Sequence, residues 1–341
     1  MQNHRTLLVV ALLLLAACAP RATSSGGSTV PESTVPASTT TVPATNVDVL
    51  PAVTAVGATL DRELATSDGR IRSYHLYVPS GLPTGPVPLL IALHGGTGSG
   101  TQFQRQSGFD ELAEANGFLV VFPDGVGLGP NADMFRTWNG GYCCGTAMKQ
   151  DVDDVGFIAA VIDDIVGTYD VDANRIFAAG HSNGGIMAYR LACELSDRIV
   201  AIGLQAGSLG INECAPARSV SVVHLHGTAD ENHPIEGGIG ANSISDTNFR
   251  SAVYSVATAA AAMGCEVSPT DSVDATNPDL AITSWTNCNN GAEVRLIAVT
   301  GASHACMGHP NSNPALVGTS YADLDASVVI LGFLLNHPRG E

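Results

Sequence analysis

Ser182 lies at the centre of Gly180-His181-Ser182-Asn183-Gly184, the single Gly-x-Ser-x-Gly element in the chain. A short apolar run, Ile176–Ala179, leads into it, and a helix-compatible segment, Ile186–Leu195, leads out. These residue types suit a nucleophile elbow, a tight strand-to-helix turn that pushes a serine hydroxyl into the open. Glycines flank the serine because a side chain at either place would crowd the turn. The new helix aims unpaired N–H groups and its positive dipole end at the place where negative charge would develop.

A serine hydroxyl is a weak nucleophile, so it needs an adjacent base, and the base needs an orienting acid. On an elbow of this kind the chain order runs serine, acid, histidine, on successive loops that follow strands. Val222–Asp230 presents Asp230 just after an apolar run, and Val294–His304 presents His304 in the same relation to a later one. His309 is the rival base and Glu231 the rival acid. His224 and His226 read as packed or hydrogen-bonded strand residues, and His233 as a loop residue that no strand delivers. A tetrahedral intermediate also needs two preorganised donors. One is the backbone N–H of Asn183. The other comes from His94-Gly95-Gly96-Thr97-Gly98, at Gly96 or Thr97, where glycines let backbone approach a substrate. That loop lacks the spacing of a phosphate-binding loop. His94 and His181 are candidate substrate contacts, His94 reading more readily as a brace. Trp138, with Met134, Phe135 and Tyr142 in the same long loop, is a candidate stacking surface for an acyl or aryl group.

These side chains need strand-end loops to hold them, and the chain supplies alternating strands and helices. Strand patterns cover Ile71–Val78 (near a sheet edge), Pro88–His94, Phe118–Phe122, Ile176–Ala179, Ile199–Leu204, Val220–Leu225 and Val294–Val299. Helical patterns cover Phe109–Asn116, Asp151–Tyr169, Ile186–Leu195, Thr247–Met263 and Tyr321–Leu335, with Asp153 and Asp154 as capping acids. Continuously apolar strands separated by helices imply a mostly parallel central sheet with helices on both faces, an α/β class. Ligands then sit beyond the carboxyl ends of the strands, where all three side chains fall.

The ends and the composition bound the rest. Residues 1–17 read as a signal peptide: Arg5, an apolar stretch too short to span a bilayer, and Leu15-Ala16-Ala17-Cys18 in a lipobox-like ending. Cys18 is the expected lipidation site, which would tie the protein by a lipid to the outer face of the cytoplasmic membrane, in the cell envelope; an ordinary cleaved signal, with Cys18 incidental, would leave it secreted. Residues 18–55 carry Thr-Val-Pro three times among small residues and read as an extended stalk. Residues 56–341 suffice for one catalytic domain. With 15 Lys+Arg against 32 Asp+Glu, the net charge of −17 disfavours nucleic-acid partners. An exported chain with 8 cysteines favours disulfides over metal thiolates. Cys265 with Cys288 and Cys193 with Cys214 are the candidate pairs. Cys143, Cys144 and Cys306 are an odd remainder, one of them a free thiol. No metal and no organic cofactor is implied.

Six segments occur in order: His94-Gly95-Gly96, Phe135–Gly145 with Trp138-Asn139 and Cys143-Cys144, Val152–Phe157, Gly180–Gly185, His226–Asp230 and Gly301–His304. Together they resemble the polyhydroxybutyrate depolymerase and feruloyl esterase group of the α/β-hydrolases, LpqC-type secreted lipoproteins included. The resemblance covers about Val56 to Leu335. It implies an α/β-hydrolase fold, carboxylic esters as substrates (polyhydroxyalkanoate, feruloyl or acetyl), and Ser182, Asp230 and His304 as nucleophile, acid and base. Members often carry Gly-Gly-His followed by Thr-Trp-Pro, whereas Ala302-Ser303-His304 here precedes Ala305-Cys306-Met307-Gly308, so the wall beside the base differs. A peptidase on the same fold and a non-catalytic envelope binding protein are the alternatives.

Overall fold

A computed structural model describes residues 57–129, 131–309 and 314–339. Cys18, the signal peptide and the stalk lie outside the described residues. In chain order the elements are β1 (Ala58–Ala65), β2 (Ile71–Val78), β3 (Val87–Leu93), α1 (Gly100–Ser107), α2 (Phe109–Asn116), β4 (Leu119–Pro123), β5 (Val126–Leu128), β6 (Met134–Thr137), α3 (Gly145–Lys149) and α4 (Asp154–Val166). Then come β7 (Val171–His181), α5 (Asn183–Glu194), β8 (Ala201–Gln205), β9 (Ser221–Gly227), α6 (Ala252–Ala262), β10 (Thr270–Val273), β11 (Leu280–Trp285), β12 (Val294–Val299), α7 (Pro314–Val317) and α8 (Ala326–Leu335).

Ten strands form one sheet in the order β1-β2-β4-β3-β7-β8-β9-β12-β11-β10, and β5 with β6 makes a separate hairpin. Pairing from β4 through β3, β7, β8 and β9 to β12 is parallel; both ends of the sheet are antiparallel. The central strands are apolar without interruption because helices cover both faces. In β3, Leu89, Ile91 and Leu93 join the layer of α4, α5 and α6, while Leu90 and Ala92 join that of α1, α2 and α8. Each of these side chains is at most 1% exposed. Burying one such leucine or isoleucine contributes about 1.5–3 kcal/mol.

Where the elements differ from the sequence patterns, the reason is local. β2 is one strand in from the edge, because β1 pairs with it along its length. Only Leu60 and Leu64 are bulky and apolar in β1, a spacing that does not alternate. Helix α1 is polar in sequence, and is set by the Ser99 side chain capping the N–H of Gln102. Asp153 caps α4 by accepting from Gly156 N–H, but Asp154 does not cap. It is fully buried, 2.7 Å from the Arg72 guanidinium, and its other oxygen accepts from Asn139 N–H at 2.7 Å. Removing one partner of such a buried pair costs about 3–5 kcal/mol.

Cys193 is bridged to Cys214 and Cys265 to Cys288; Cys143 is bridged to its neighbour Cys144, and Cys306 keeps its thiol.

Candidate active site

Ser182 stands between the end of β7 and the start of α5 with φ 54° and ψ −119°. A non-glycine residue held at positive φ stores about 1–3 kcal/mol of strain, which the surrounding packing must hold. Two glycines make the turn sterically feasible. A Cβ at Gly180 would lie 2.3 Å from Gly184 backbone, and one at Gly184 would lie 2.2 Å from the carbonyl oxygen of Leu93. The helix begins at Asn183, directly after the serine, and not at Ile186 as the apolar pattern indicated.

The loop after β12 brings His304 Nε2 to 2.9 Å from Ser182 Oγ. The turn after β9 brings Asp230 Oδ2 to 2.7 Å from His304 Nδ1. Residues 122 and 74 positions apart in the chain thus form one hydrogen-bonded line. The other oxygen, Asp230 Oδ1, accepts from the N–H groups of Asn232 and His233 at 2.9 and 2.8 Å. Burial works to raise the Asp230 carboxyl, but the His304 imidazole and these donors outweigh it and hold the group below the usual carboxylate range. An ionised Asp230 requires the proton on His304 Nδ1, so Nε2 presents its lone pair to the Ser182 hydroxyl. Such an arrangement can accept a proton as the oxygen attacks an electrophilic carbon.

Of the two loop residues named as second donors, the structure separates one. Thr97 N–H donates to Arg136 C=O at 2.8 Å and is not available to a substrate. A Cβ on Gly96 would lie 3.7 Å from Asn183 Cβ, so Gly96 sits against the first residue of α5. The Asn183 side chain holds that neighbourhood in place: its Oδ1 accepts from Trp138 N–H at 2.7 Å and its Nδ2 donates to Trp138 C=O at 3.0 Å.

Trp138 is not a substrate surface. It is fully buried, and its indole N–H donates to His94 C=O at 3.0 Å. The Trp138-Asn139 and Val152–Phe157 segments therefore brace the glycine loop and the elbow from beneath. His94 is a brace too: its Nε2 accepts from Gly125 N–H at 2.9 Å, its Nδ1–H donates to Gly95 C=O at 2.8 Å, and burial lowers it to about 4. His181 is engaged by the base's loop, its Nε2–H donating to His304 C=O at 2.8 Å; burial, with His304 nearby, lowers it to about 4. The rival base His309 lies 3.4 Å from Asp325, the cap of α8.

A buried histidine line extends behind the acid. His224 and His226 point to the same face of β9, toward α5. The only neutral tautomers that satisfy every contact run one way: Tyr189 O–H to His224 Nδ1 at 3.1 Å, His224 Nε2–H to His226 Nδ1 at 3.0 Å, and His226 Nε2–H to His233 C=O at 2.7 Å. Burial lowers all three histidines, His224 and His233 strongly. His233 is itself buried, stacked on Phe249 with centroids 3.8 Å apart. Among the described residues, no cluster of three or more His, Cys, Asp or Glu side chains is arranged to hold a metal ion. Nor is any described helix long and apolar enough to cross a membrane.

A family model described as esterase, PHB depolymerase, matches residues 72–254, more than half of the chain. The chain is 32% identical over 240 residues to NocK of Nocardia uniformis subsp. tsuyamanensis, spanning 69% of this chain and 66% of that one. It is 33% identical over 225 residues to feruloyl esterase B of Piromyces equi (64% and 40%). It is 25% identical over 240 residues to the bifunctional acetylxylan esterase/xylanase XynS20E of Neocallimastix patriciarum (70% and 31%). The chain thus spans less than two thirds of the length of each of these relatives. Among solved structures, a thermostable esterase aligns with TM-score 0.51 at 14% identity, covering 82% of this chain and 63% of that one. An S-formylglutathione hydrolase from Agrobacterium tumefaciens aligns with TM-score 0.50 at 14% identity, covering 84% and 97%. At such identity these two neighbours establish the α/β-hydrolase fold alone.

Proposed function

The chain belongs to the esterase family described as PHB depolymerase, and from that premise we propose that it is a serine carboxylesterase acting through an acyl-serine. The observation that carries the reading is the line Ser182–His304–Asp230, with contacts of 2.9 and 2.7 Å, under a strained elbow. Ser182 Oγ attacks the ester carbonyl carbon as its proton passes to His304 Nε2. The oxyanion so formed lies against the N–H of Asn183, unpaired at the first position of a helix, and that of Gly96 beside it. Collapse breaks the bond to the leaving alcohol, whose oxygen takes the proton back from His304. Water, deprotonated by the same imidazole, then hydrolyses the acyl-serine. Asp230 stays ionised throughout, fixing the tautomer and stabilising the imidazolium.

The substrate class follows the relatives, whose names specify feruloyl and acetylxylan esters. Polysaccharide-borne aryl or acetyl esters, or a polyhydroxyalkanoate, are the compatible substrates. Export with lipidation at Cys18, a stalk over residues 18–55 and a catalytic domain over 56–341 complete the proposal, and rest on the sequence. An acylated Cys18 in N-terminal mass analysis is expected; an unmodified residue there overturns the anchor.

The test of the chemistry is Ser182→Ala. The variant should fold, resist a fluorophosphonate probe that labels the unaltered protein, and lose about 10³–10⁶-fold in kcat on a short p-nitrophenyl ester. Turnover retained in Ser182→Ala would overturn the assignment.

A further inference from the structure

The serine and the base reside on separate loops, and the line between them holds only if those loops keep a fixed separation. Gln205, the last residue of β8, touches both. It is 4% exposed, in a site where its carboxamide must find protein partners. Its backbone C=O accepts from Ser182 N–H at 2.9 Å. Its side-chain Nε2 donates to Ala305 C=O at 2.9 Å, and its Oε1 accepts from Met307 N–H at 3.1 Å. One residue therefore grips the nucleophile's amide with its main chain and the base's loop, on both sides of Cys306, with its side chain. The sheet register makes this possible: Gln205 is the cross-strand partner of His181. His181 adds a further hold on the same loop, through His304 C=O.

We infer that Gln205 is a positioning residue that sets the distance between the Ser182 hydroxyl and the His304 imidazole. The inference rests on the proposed serine esterase reading. It assigns Gln205 no contact with substrate or with the reacting atoms. Among the described residues, no other side chain is hydrogen-bonded to the loop at both Ala305 and Met307, so its loss removes a hold on either side of Cys306, whose own C=O still accepts from the Ser320 hydroxyl. A displacement of about 1 Å in a catalytic group can cost about 10²-fold in rate.

The test uses the unaltered protein, Gln205→Met and Gln205→Glu, each compared for kcat and KM on a short p-nitrophenyl ester, for fluorophosphonate labelling, and for thermal unfolding. Methionine keeps the volume and removes both side-chain hydrogen bonds. In folded Gln205→Met, kcat and the labelling rate should fall together by about tenfold to a hundredfold, KM should stay within about twofold, and the Cys306 thiol should alkylate faster. Glutamate keeps the acceptor for Met307 N–H, but can donate to Ala305 C=O only when protonated. Its kcat relative to the unaltered protein should therefore rise as pH falls, a trend that plain loss of stability would not produce. A folded Gln205→Met with kcat within about twofold of the unaltered protein overturns the inference. So does a Gln205→Glu ratio that is flat with pH, which decides the matter should the methionine variant fail to fold. An unaltered protein that neither labels nor turns over ester overturns the esterase reading itself, and the inference with it.

Discussion

Lowering the pH from 7.5 to 5 should remove a large part of this fold's stability through its buried histidines. His94 and His181 are each held at about 4, against 6.5 for an unhindered imidazole, by burial that disfavours the charged ring. The unfolded chain therefore takes up protons below pH 6.5 that the folded chain refuses, and stability drops as pH falls from there toward 4. At pH 5 each ring costs about 2 kcal/mol by this linkage, so the two together cost about 4 kcal/mol. His224, His226 and His233, also lowered by burial, act with the same sign. His75 opposes them: burial would lower it, but its pairs with Asp124 and Asp61 raise it, so its contribution grows as pH falls. The net loss is a sizeable share of the about 5–15 kcal/mol typical of a domain. Urea unfolding followed by the fluorescence of Trp138 and Trp285, both buried, measures it directly. His181→Gln, which keeps a donor for His304 C=O, should flatten the dependence by about 2 kcal/mol at pH 5 whatever it does to stability at pH 7.5. An unfolding free energy at pH 5 within about 1 kcal/mol of its pH 7.5 value refutes the reasoning.

Replacing Gly96 by proline deletes the proposed second oxyanion donor and should cost about 10²–10³-fold in kcat, whereas Thr97→Ala, at a residue whose N–H is already taken, should stay within about twofold. Equal losses in the two variants would reject the assignment of the donor. Trp138→Phe should lower the melting temperature through loss of the bond to His94 C=O and leave KM for aryl esters unchanged; a raised KM would return Trp138 to the substrate.

The three loops that carry Ser182, Asp230 and His304 are legible in the chain because each follows an unbroken apolar strand, and a parallel sheet leaves little else for such runs to do. What could not be read is which N–H groups and side chains are already spoken for. Thr97 is spent on Arg136, and Trp138 on His94, 44 positions away. Asp154 sits beside its presumed capping partner Asp153, yet its charge is answered by Arg72 from a strand 82 positions earlier. Gln205 carries no local signal at all. Its importance comes from standing at the end of β8 in register with His181, which is a property of the sheet. β1 escaped because its stability comes from pairing with β2 and not from an apolar face of its own.

The Cys193–Cys214 and Cys265–Cys288 bridges span 21 and 23 positions; the first ties the last turn of α5 to the segment before β9, and the second ties the segment after α6 to the one before β12. Closing loops of that size restrains the unfolded chain by about 3 kcal/mol apiece. The molecule's durability is thus written partly in the oxidation history of its surroundings. Material made in a thiol-rich cytoplasm would share every atom of the Ser182 elbow with material matured outside it, and still be far easier to melt or digest.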